Sequence, residues 1–192
     1  DPKDFTYAHE LGYAVKLLAI AKHTDSGLEA RVHPSLTPLE SQLATVDGVF
    51  NAIQIEGDLV GSLVFYGRGA GGRPTSSTVV ADVLTIARAI ALEGIIRPRM
   101  ELGRRIPVIP MADIQTRYYF RLSVTDQPGV LAQIARVLGD QRISISAVIQ
   151  KELDAVAQTA QIVILTHPAT EKSVQAAVSE CGSLPLVKQV GA

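Results

Sequence analysis

The sequence predicts an α+β protein in two parts, and three observations lead to this prediction. Apolar residues make up 47% and charged residues 19% of the 192 residues, which is enough apolar material for a packed core. Helix-type and strand-type spacings of apolar residues alternate along the chain. A stretch at 94–116 that contains prolines and arginines shows neither spacing. We therefore expect a mixed helix–strand segment at 1–93, a linker at 94–116, and a second α+β domain at 117–192.

The N-terminal segment is predicted to contain one helix followed by three strands. Between Phe5 and Lys22 apolar residues recur at helical spacing, which predicts a helix with one buried face. Three strand-type runs follow: Leu28–His33, Val49–Ile55 and Ser62–Tyr66. The last two runs flank the segment Glu56–Asp58, whose glycine and aspartate favour a hairpin turn.

A glycine-rich stretch, Gly67–Gly72, follows the third strand and leads into a second predicted helix. Pro74 and the hydroxyl residues after it are typical of a first helical turn, and we expect the helix to end near Leu92. Its apolar stripe consists of Val79, Val83, Ile86 and Ile90. We therefore expect this helix to bury one face.

The region 117–192 has a complete pattern of its own. Strand-type alternation at 118–125 precedes a helical stripe that begins at Val130. Two more strand-type runs, a helical stripe that ends at Cys181 and a last strand at 186–190 complete it. The order is βαββαβ, the split ferredoxin-like arrangement, with both helices on one face of the sheet. We expect the other face to meet another domain or another subunit.

Composition excludes several classes of function. Lys plus Arg total 18 and Asp plus Glu total 19, a balance that argues against nucleic acid or an anionic membrane as the main partner. Cys181 is the single cysteine, which excludes an internal disulfide and favours a reducing cytoplasm. Neither a signal-peptide pattern nor an apolar run of about 20 residues is visible. Four histidines are scattered without metal-ligand spacing, two in the first predicted helix or just after it and two at strand ends: His9, His23, His33 and His167.

The segment 126–131 joins the first strand to the first helix of the C-terminal domain. In a βαββαβ context its residues resemble those of the ACT domain, a module that commonly binds amino acids. The helix start offers unpaired backbone N–H groups, which suit a carboxylate. Asp126 is expected either to bind an ammonium group or to cap the helix, and the whole loop is alternatively a plain turn. The candidate effector-binding residues are Asp126, Pro128, Gly129, Val130 and Leu131.

The glycine stretch has the spacing of a dinucleotide-binding turn, because Gly67, Gly69 and Gly72 satisfy G-x-G-x-x-G. That fingerprint has to open a βαβ unit, with an acidic residue about 20 positions further on. Glu93 lies at that distance but at the end of the predicted helix. We therefore reject an autonomous nucleotide-binding domain here. The stretch is either a turn that approaches the polar edge of a cofactor or a tight turn at a sheet edge.

Four segments together resemble the latter part of bacterial homoserine dehydrogenase: 7–22, 29–34, 48–53 and 65–75. The resemblance implies reduction of aspartate semialdehyde to homoserine with NAD or NADP as cofactor, on the route to threonine and methionine. It also implies a dimer or tetramer, and feedback by L-threonine through the ACT domain. Carried over position by position, it places Gly71, with Gly69 and Ala70 beside it, near the nicotinamide end of the cofactor.

The departures from that family concern catalysis. Asp1-Pro2 is not followed by the family's catalytic Asp and Lys at their spacing, so Lys16 does not match the catalytic lysine. We expect Lys16 to be a solvated residue of the Phe5–Lys22 helix. We expect no catalytic residue in this chain, with the Rossmann domain and the catalytic residues upstream, and residues 1–192 alone to be inactive. The alternative is a stand-alone, non-catalytic ACT-type regulator that binds amino acids.

Overall fold

The computed structural model describes residues 1–91, 103, 105–154 and 159–191, and it contains helices and strands in both predicted parts. The N-terminal part consists of helix α1 (Pro2–Glu10), strands β1 (Tyr13–Thr24) and β2 (Gly27–Pro38), a 3-10 turn (Gln42–Thr45), strands β3 (Phe50–Gly57) and β4 (Gly61–Arg68), and helix α2 (Gly72–Ala91). Two antiparallel ribbons, β1–β2 and β3–β4, therefore lie between the two helices in sequence.

The predicted helix from Phe5 to Lys22 is wrong beyond its first turns. Helix α1 ends at Glu10, and all of β1 pairs with β2, from Tyr13 opposite Pro38 to Thr24 opposite Gly27. The apolar run in β1 fits a strand as well as a helix, and the long ladder with β2 supplies the backbone hydrogen bonds that select the strand. His23 consequently lies in a strand and not in a helix.

The hairpin and the second helix form close to where the sequence predicts them. Strands β3 and β4 pair from Phe50 opposite Arg68 to Gly57 opposite Gly61, which confirms the hairpin. The predicted position of its turn, Glu56–Asp58, is wrong by two residues, because Glu56 and Gly57 still pair and residues 58–60 form the turn. Helix α2 begins at Gly72, and Leu92 lies outside the described residues. The predicted stripe of α2 is not buried within the chain: Val79, Val83, Ile86 and Ile90 are 56%, 59%, 61% and 74% exposed. An exposed apolar stripe of this kind is a candidate contact surface.

The described part of the predicted linker packs against both neighbouring regions. Leu28 of β2 donates its N–H to the Pro107 carbonyl at 2.9 Å and accepts from the Ile109 N–H at 2.9 Å. Further on, Ile114 is only 2% exposed, and strand β5 (Gln115–Thr116) pairs with strand β9 (Ala169–Thr170). Residues 94–102 and 104 lie outside the described residues, and three arginines of the predicted linker are among them: Arg97, Arg99 and Arg104.

The C-terminal part has the predicted βαββαβ order. Its elements are β6 (Tyr119–Thr125), α3 (Val130–Asp140), β7 (Ile145–Asp154), β8 (Thr159–Thr166), α4 (Glu171–Gly182) and β10 (Val187–Gly191), with the short β9 before α4. The sheet order is β10-β6-β8-β7, which is the ferredoxin-like arrangement. No helix among the described residues is long and apolar enough to cross a membrane.

The core of this part lies between the sheet and its two helices. Three residues that alternate along β6 are at most 4% exposed: Phe120, Leu122 and Val124. The same holds for three residues of α3: Val130, Ile134 and Leu138. Cys181 of α4 is 3% exposed, and burial raises the pKa of its thiol to about 11. A buried thiol with that pKa stays protonated near neutral pH, as expected for a core cysteine.

The other face of the sheet is covered in part by α1 of the same chain. Arg121 of β6 is 4% exposed, and its Nε donates to Asp4 Oδ1 of α1 at 2.6 Å. The Tyr119 hydroxyl donates to the same oxygen at 2.8 Å, and Lys151 pairs with Glu10 at 2.7 Å. Because these contacts join α1 to β6 and β7, the N-terminal segment of the same chain covers part of the face that we expected to meet another domain or another subunit.

Candidate functional site

The glycine turn lies between the end of β4 and the start of α2 and consists of Gly69, Ala70 and Gly71. The N–H groups of Gly69 and Ala70 point to the Val49 carbonyl, at 3.1 and 3.5 Å. Gly71 has φ +129°, a backbone conformation that side chains with a Cβ rarely adopt. The preceding strand pairs antiparallel with β3, so the turn does not open a βαβ unit, which agrees with the rejection of a dinucleotide fingerprint.

Asn51 of β3 packs directly on the glycine turn, and sequence reasoning missed this residue. A Cβ on Gly69 would overlap the Asn51 amide nitrogen and lie 2.7 Å from its Cγ. The signal available in the sequence was the hairpin register, because Asn51 faces Gly67 across the ribbon and therefore lies beside the turn. The Phe50 and Tyr66 rings stack at 4.9 Å next to it, and the Arg68 guanidinium lies 5.2 Å from the Phe50 ring centre.

Lys16 is not the solvated helix residue that the sequence suggested. It lies in β1 with its side chain 18% exposed, and its ammonium group donates to the Val46 carbonyl at 2.8 Å and to Asp47 Oδ1 at 2.6 Å. The mistake follows from the wrong helix, since a strand directs this side chain toward the segment before β3. Lys16 therefore ties the β1–β2 ribbon to the segment that carries Val49.

The predicted effector loop joins β6 to α3 and is open to solvent. Asp126 and Pro128 are exposed, and Gly129 has φ +90° at the N-terminal cap of α3. Val130 turns its side chain into the core, at 4% exposure, while Leu131 is 37% exposed. Among the described residues no side chain caps α3, so the interpretation of Asp126 as a helix cap is wrong. The exposed carboxylate remains available to a ligand.

Strand β7, which we expect to complete the effector pocket from a partner subunit, lies at an edge of the sheet. Ser146 and Val148 point outward, while Ala147 and Ile149 are half-buried. An edge strand presents backbone N–H and C=O groups that its own sheet does not use. This edge of the sheet is therefore open to pairing with a further strand, as far as the described residues show.

The histidines do not form a metal site. Within the described ranges no three His, Cys, Asp or Glu residues form a group that suits a metal ion. Strand β2 continues past His33 and Pro34 to Pro38, so the prediction of His33 as a strand end is wrong. His9 lies in the last turn of α1, and His167 follows the end of β8 as predicted.

Comparison with known proteins assigns both parts of the chain. Residues 1–84 match the model of the homoserine dehydrogenase family, and residues 118–184 match the model of the ACT domain. Across residues 1–84, the chain belongs to the homoserine dehydrogenase family. One relative is a homoserine dehydrogenase of Neisseria gonorrhoeae, 42% identical over an alignment of 195 positions that includes 98% of this chain and 44% of the relative. One from Helicobacter pylori is 42% identical over 187 residues, covering 97% and 44%.

Solved structures agree with this assignment. A homoserine dehydrogenase from Thiobacillus denitrificans superposes with a TM-score of 0.83 at 40% identity, covering 98% of this chain and 44% of that one. A homoserine dehydrogenase from S. aureus has a TM-score of 0.58 at 26% identity, covering 97% and 43%. The chain thus spans less than half the length of the homoserine dehydrogenases it matches. Because the match includes residues 1–84 as well as the ACT domain, a stand-alone ACT regulator is not favoured.

Proposed function

We propose that residues 1–192 form the dimerisation and regulatory part of an NAD- or NADP-dependent homoserine dehydrogenase. The enzyme would interconvert L-homoserine and L-aspartate 4-semialdehyde in threonine and methionine biosynthesis in the cytoplasm. The observation that carries this proposal is the match of residues 1–84 to the family, together with a glycine turn between β4 and α2 that is hydrogen-bonded to Val49. In this proposal 1–93 belongs to the catalytic region, 94–116 is a linker and 117–192 is the regulatory domain.

The absence of large side chains in the glycine turn supports the proposed binding of a cofactor there. Gly69, Ala70 and Gly71 carry at most a methyl group, so a flat ring can approach their backbone closely. Hydrogen bonds hold the turn in position, since the Val49 carbonyl accepts the N–H groups of Gly69 and Ala70. The reduced nicotinamide would supply the hydride that the aldehyde carbon accepts. The turn would hold the ring in place, and the residues that move protons lie upstream in this proposal.

The proposed activity has a direct test. The full-length protein should reduce NAD or NADP only when L-homoserine is present, and the reverse reaction should consume aspartate semialdehyde. Residues 1–192 alone should show no turnover, because they contain neither the proposed nucleotide-binding domain nor a matched catalytic lysine. Activity of residues 1–192 in a preparation free of contaminating enzyme would contradict this division of labour. A full-length protein without homoserine-dependent activity would refute the proposed function.

The ACT domain is proposed to bind an amino acid, with L-threonine as the first candidate. The loop offers an exposed carboxylate at Asp126 for the ligand's ammonium group. The Gly129 and Leu131 N–H groups at the start of α3 would face the ligand's carboxylate, whereas the Val130 N–H donates to the Gln127 carbonyl at 3.4 Å. Residues 146–149 of a partner's β7 would close the pocket. Asp126 and Leu131 are therefore the side chains of the loop that we expect to contact the ligand.

Binding of L-threonine should raise the midpoint of thermal unfolding. A ligand at a hundredfold excess over Kd that binds only the folded protein stabilises it by about 2.7 kcal/mol. The Asp126→Ala variant should lose this shift, whereas Asp25→Ala, an exposed aspartate in the β1–β2 turn, should keep it. Thermal shift and calorimetry measure both effects. If no amino acid shifts the wild type, the loop is a structural turn.

Self-association is proposed to use the β3–β4 ribbon. Ile53 and Ile55 of β3 lie opposite Phe65 and Leu63 of β4, so the four share one face of the ribbon. They are 64%, 48%, 60% and 43% exposed, respectively. A contiguous apolar face of this kind is expected to be covered in the assembled protein. We propose that a second copy of the chain covers it, giving a dimer, and that pairing of ACT domains extends the dimer to a tetramer.

A charge on that face should break the dimer. Phe65→Asp is expected to weaken dimerisation by about a hundredfold, since a desolvated charge replaces a large apolar contact. Gln54→Glu places a new charge on the opposite face of β3 and should leave the association unchanged. Sedimentation equilibrium measures both. A wild-type protein that sediments only as a monomer at micromolar concentration would contradict the proposal.

A further inference from the structure

The glycine turn is held by a chain of contacts that begins on the β1–β2 ribbon. Lys16 Nζ donates to the Val46 carbonyl and to Asp47 Oδ1, at 2.8 and 2.6 Å. The Phe50 N–H donates to the Asp47 carbonyl at 3.3 Å, so the segment turns back on itself before β3. Inside that turn lies Val49, whose carbonyl accepts the N–H groups of the glycine turn. Three short steps thus connect the ammonium group to the turn.

From the side of β1 and β2, this segment is fixed by Lys16 and by the 3-10 turn that precedes it, which packs on the ribbon and buries Ala44. Both of its side-chain hydrogen bonds to that ribbon come from Lys16. The apolar residues of β3, β4 and α2 are mostly exposed, so packing within the chain does not lock the hairpin in place. The ammonium group itself is mostly buried, with the Lys16 side chain 18% exposed, while Asp47 is 81% exposed. The bond to the Val46 carbonyl is therefore the better shielded of the two.

We propose that Lys16 is a positioning residue for the cofactor-facing glycine turn. It acts through Val46, Asp47 and Val49 and does not touch the cofactor. This inference rests on the proposed function, in which Gly69, Ala70 and Gly71 approach the nicotinamide. Lys16 fixes the segment 46–50 against β1, and that segment holds the turn by the Val49 carbonyl. Without the ammonium group of Lys16, the distance between the glycine turn and the β1–β2 ribbon is no longer fixed.

The first test measures the turn itself in the full-length protein without cofactor. Hydrogen exchange of the Gly69 and Ala70 amides should become about tenfold faster in Lys16→Met, because their acceptor is no longer held. Lys16→Arg keeps the charge and several donors and should restore most of the protection. The control is Lys22→Met, which removes an exposed lysine from the same strand. Unchanged protection in Lys16→Met, or equal loss in Lys22→Met, would overturn the inference.

The second test uses cofactor binding and kinetics. Lys16→Met should raise the calorimetric Kd and the KM for NADH or NADPH about tenfold, with the KM for aspartate semialdehyde in the same direction of reaction unchanged, because only the turn is displaced. Equal increases in both KM values would indicate a general loss of structure and overturn the inference. If Lys16→Met does not fold, Asp47→Asn replaces it, because it removes the ion pair with Lys16. A smaller rise in the cofactor Kd of Asp47→Asn supports the inference, and no rise overturns it.

The outcomes separate this inference from the proposed function. If the full-length protein lacks homoserine-dependent activity, the proposed function fails, and the exchange experiment alone decides whether Lys16 positions the turn. If Gly71→Val impairs cofactor binding and Lys16→Met does not, the proposed function stands and the role of Lys16 is refuted.

Discussion

Replacing Gly71 by valine in the full-length protein is expected to reduce kcat/KM for the cofactor by about a hundredfold, with the dimer intact. Gly71 has φ +129°, and the ring of Pro74 lies 3.4 Å from the position of an added Cβ. A branched side chain would therefore strain the turn and occupy the space proposed for the nicotinamide. Steady-state kinetics and calorimetry with NADH and NADPH measure the effect. Normal cofactor kinetics in a folded variant would refute the assignment.

Two further variants make the glycine experiment specific. Gly67→Ala is the matched control, because an added Cβ there meets nothing within 4 Å, and it should leave activity unchanged. Gly69→Ala should impair cofactor binding, since the new methyl group overlaps the Asn51 amide. Adding Asn51→Ala should restore binding in part, because the Asn51 Cβ lies 3.5 Å from the new methyl, an ordinary contact distance. Failure of that rescue would mean that Gly69 is required for another reason.

Removing the Arg121 side chain is expected to release α1 from the ACT sheet. Arg121→Met leaves the carboxylate of Asp4 without its main partner and should destabilise the protein by about 2–3 kcal/mol. The Tm should fall by about 5–10 °C. Arg136→Met is the matched control, because Arg136 and Asp140 are 84% and 63% exposed and 3.8 Å apart. Such a surface pair contributes at most about 1 kcal/mol, and a control as damaging as Arg121→Met would contradict the argument.

The contribution of Asp4 should also depend on pH in a defined direction. Burial on its own raises the pKa of Asp4, but the hydrogen bonds from Arg121 and Tyr119 outweigh it and hold the pKa below its usual value. A carboxyl with a lowered folded-state pKa stabilises the fold above its unfolded pKa, about 3.9, and loses this effect as the pH falls further. The stability difference between wild type and Arg121→Met should therefore narrow below about pH 4, as denaturant titrations at several pH values would show.

The ferredoxin-like part was predictable from sequence because its signals agree with one another. Alternation in β6, the helical stripes of α3 and α4 and the order of elements all depend on residues that bury one face in a common core. Among residues 1–91, by contrast, the buried apolar residues are only Ala8 and Ala44. The first strand of this N-terminal part is selected by pairing with β2, a partner 12 residues long that the local pattern of β1 does not reveal. The local pattern of apolar residues in β1 therefore led to the wrong prediction of a helix.

The candidate site was predictable where the backbone carries it and not where side chains from distant elements do. Gly69, Ala70 and Gly71 are adjacent in sequence, and their turn lies where expected. Asn51 contacts the turn because the β3–β4 pairing places it there, and Lys16 contacts the segment that holds the turn only because two ribbons and a 3-10 turn bring the two together. Alternation in β6 places Arg121 on the face opposite the core of the two helices, but its near-complete burial there and its bond to Asp4 join residues 117 positions apart in sequence. Contacts of that range leave no local periodicity to read.

The docking of α1 on β6 limits how this regulatory domain can be exchanged between proteins. A segment cut at residue 117 would keep every strand and helix of the ACT domain and would uncover Arg121 and Val163, which are 4% and 1% exposed in the intact chain. A host protein would have to provide an acidic partner for Arg121, as Asp4 does here, and an apolar cover for Val163, which lies opposite Arg121 in the sheet. Transfer of residues 117–192 alone should therefore yield a poorly soluble domain. Grafts succeed more readily when residues 1–10 travel with the sheet they cover.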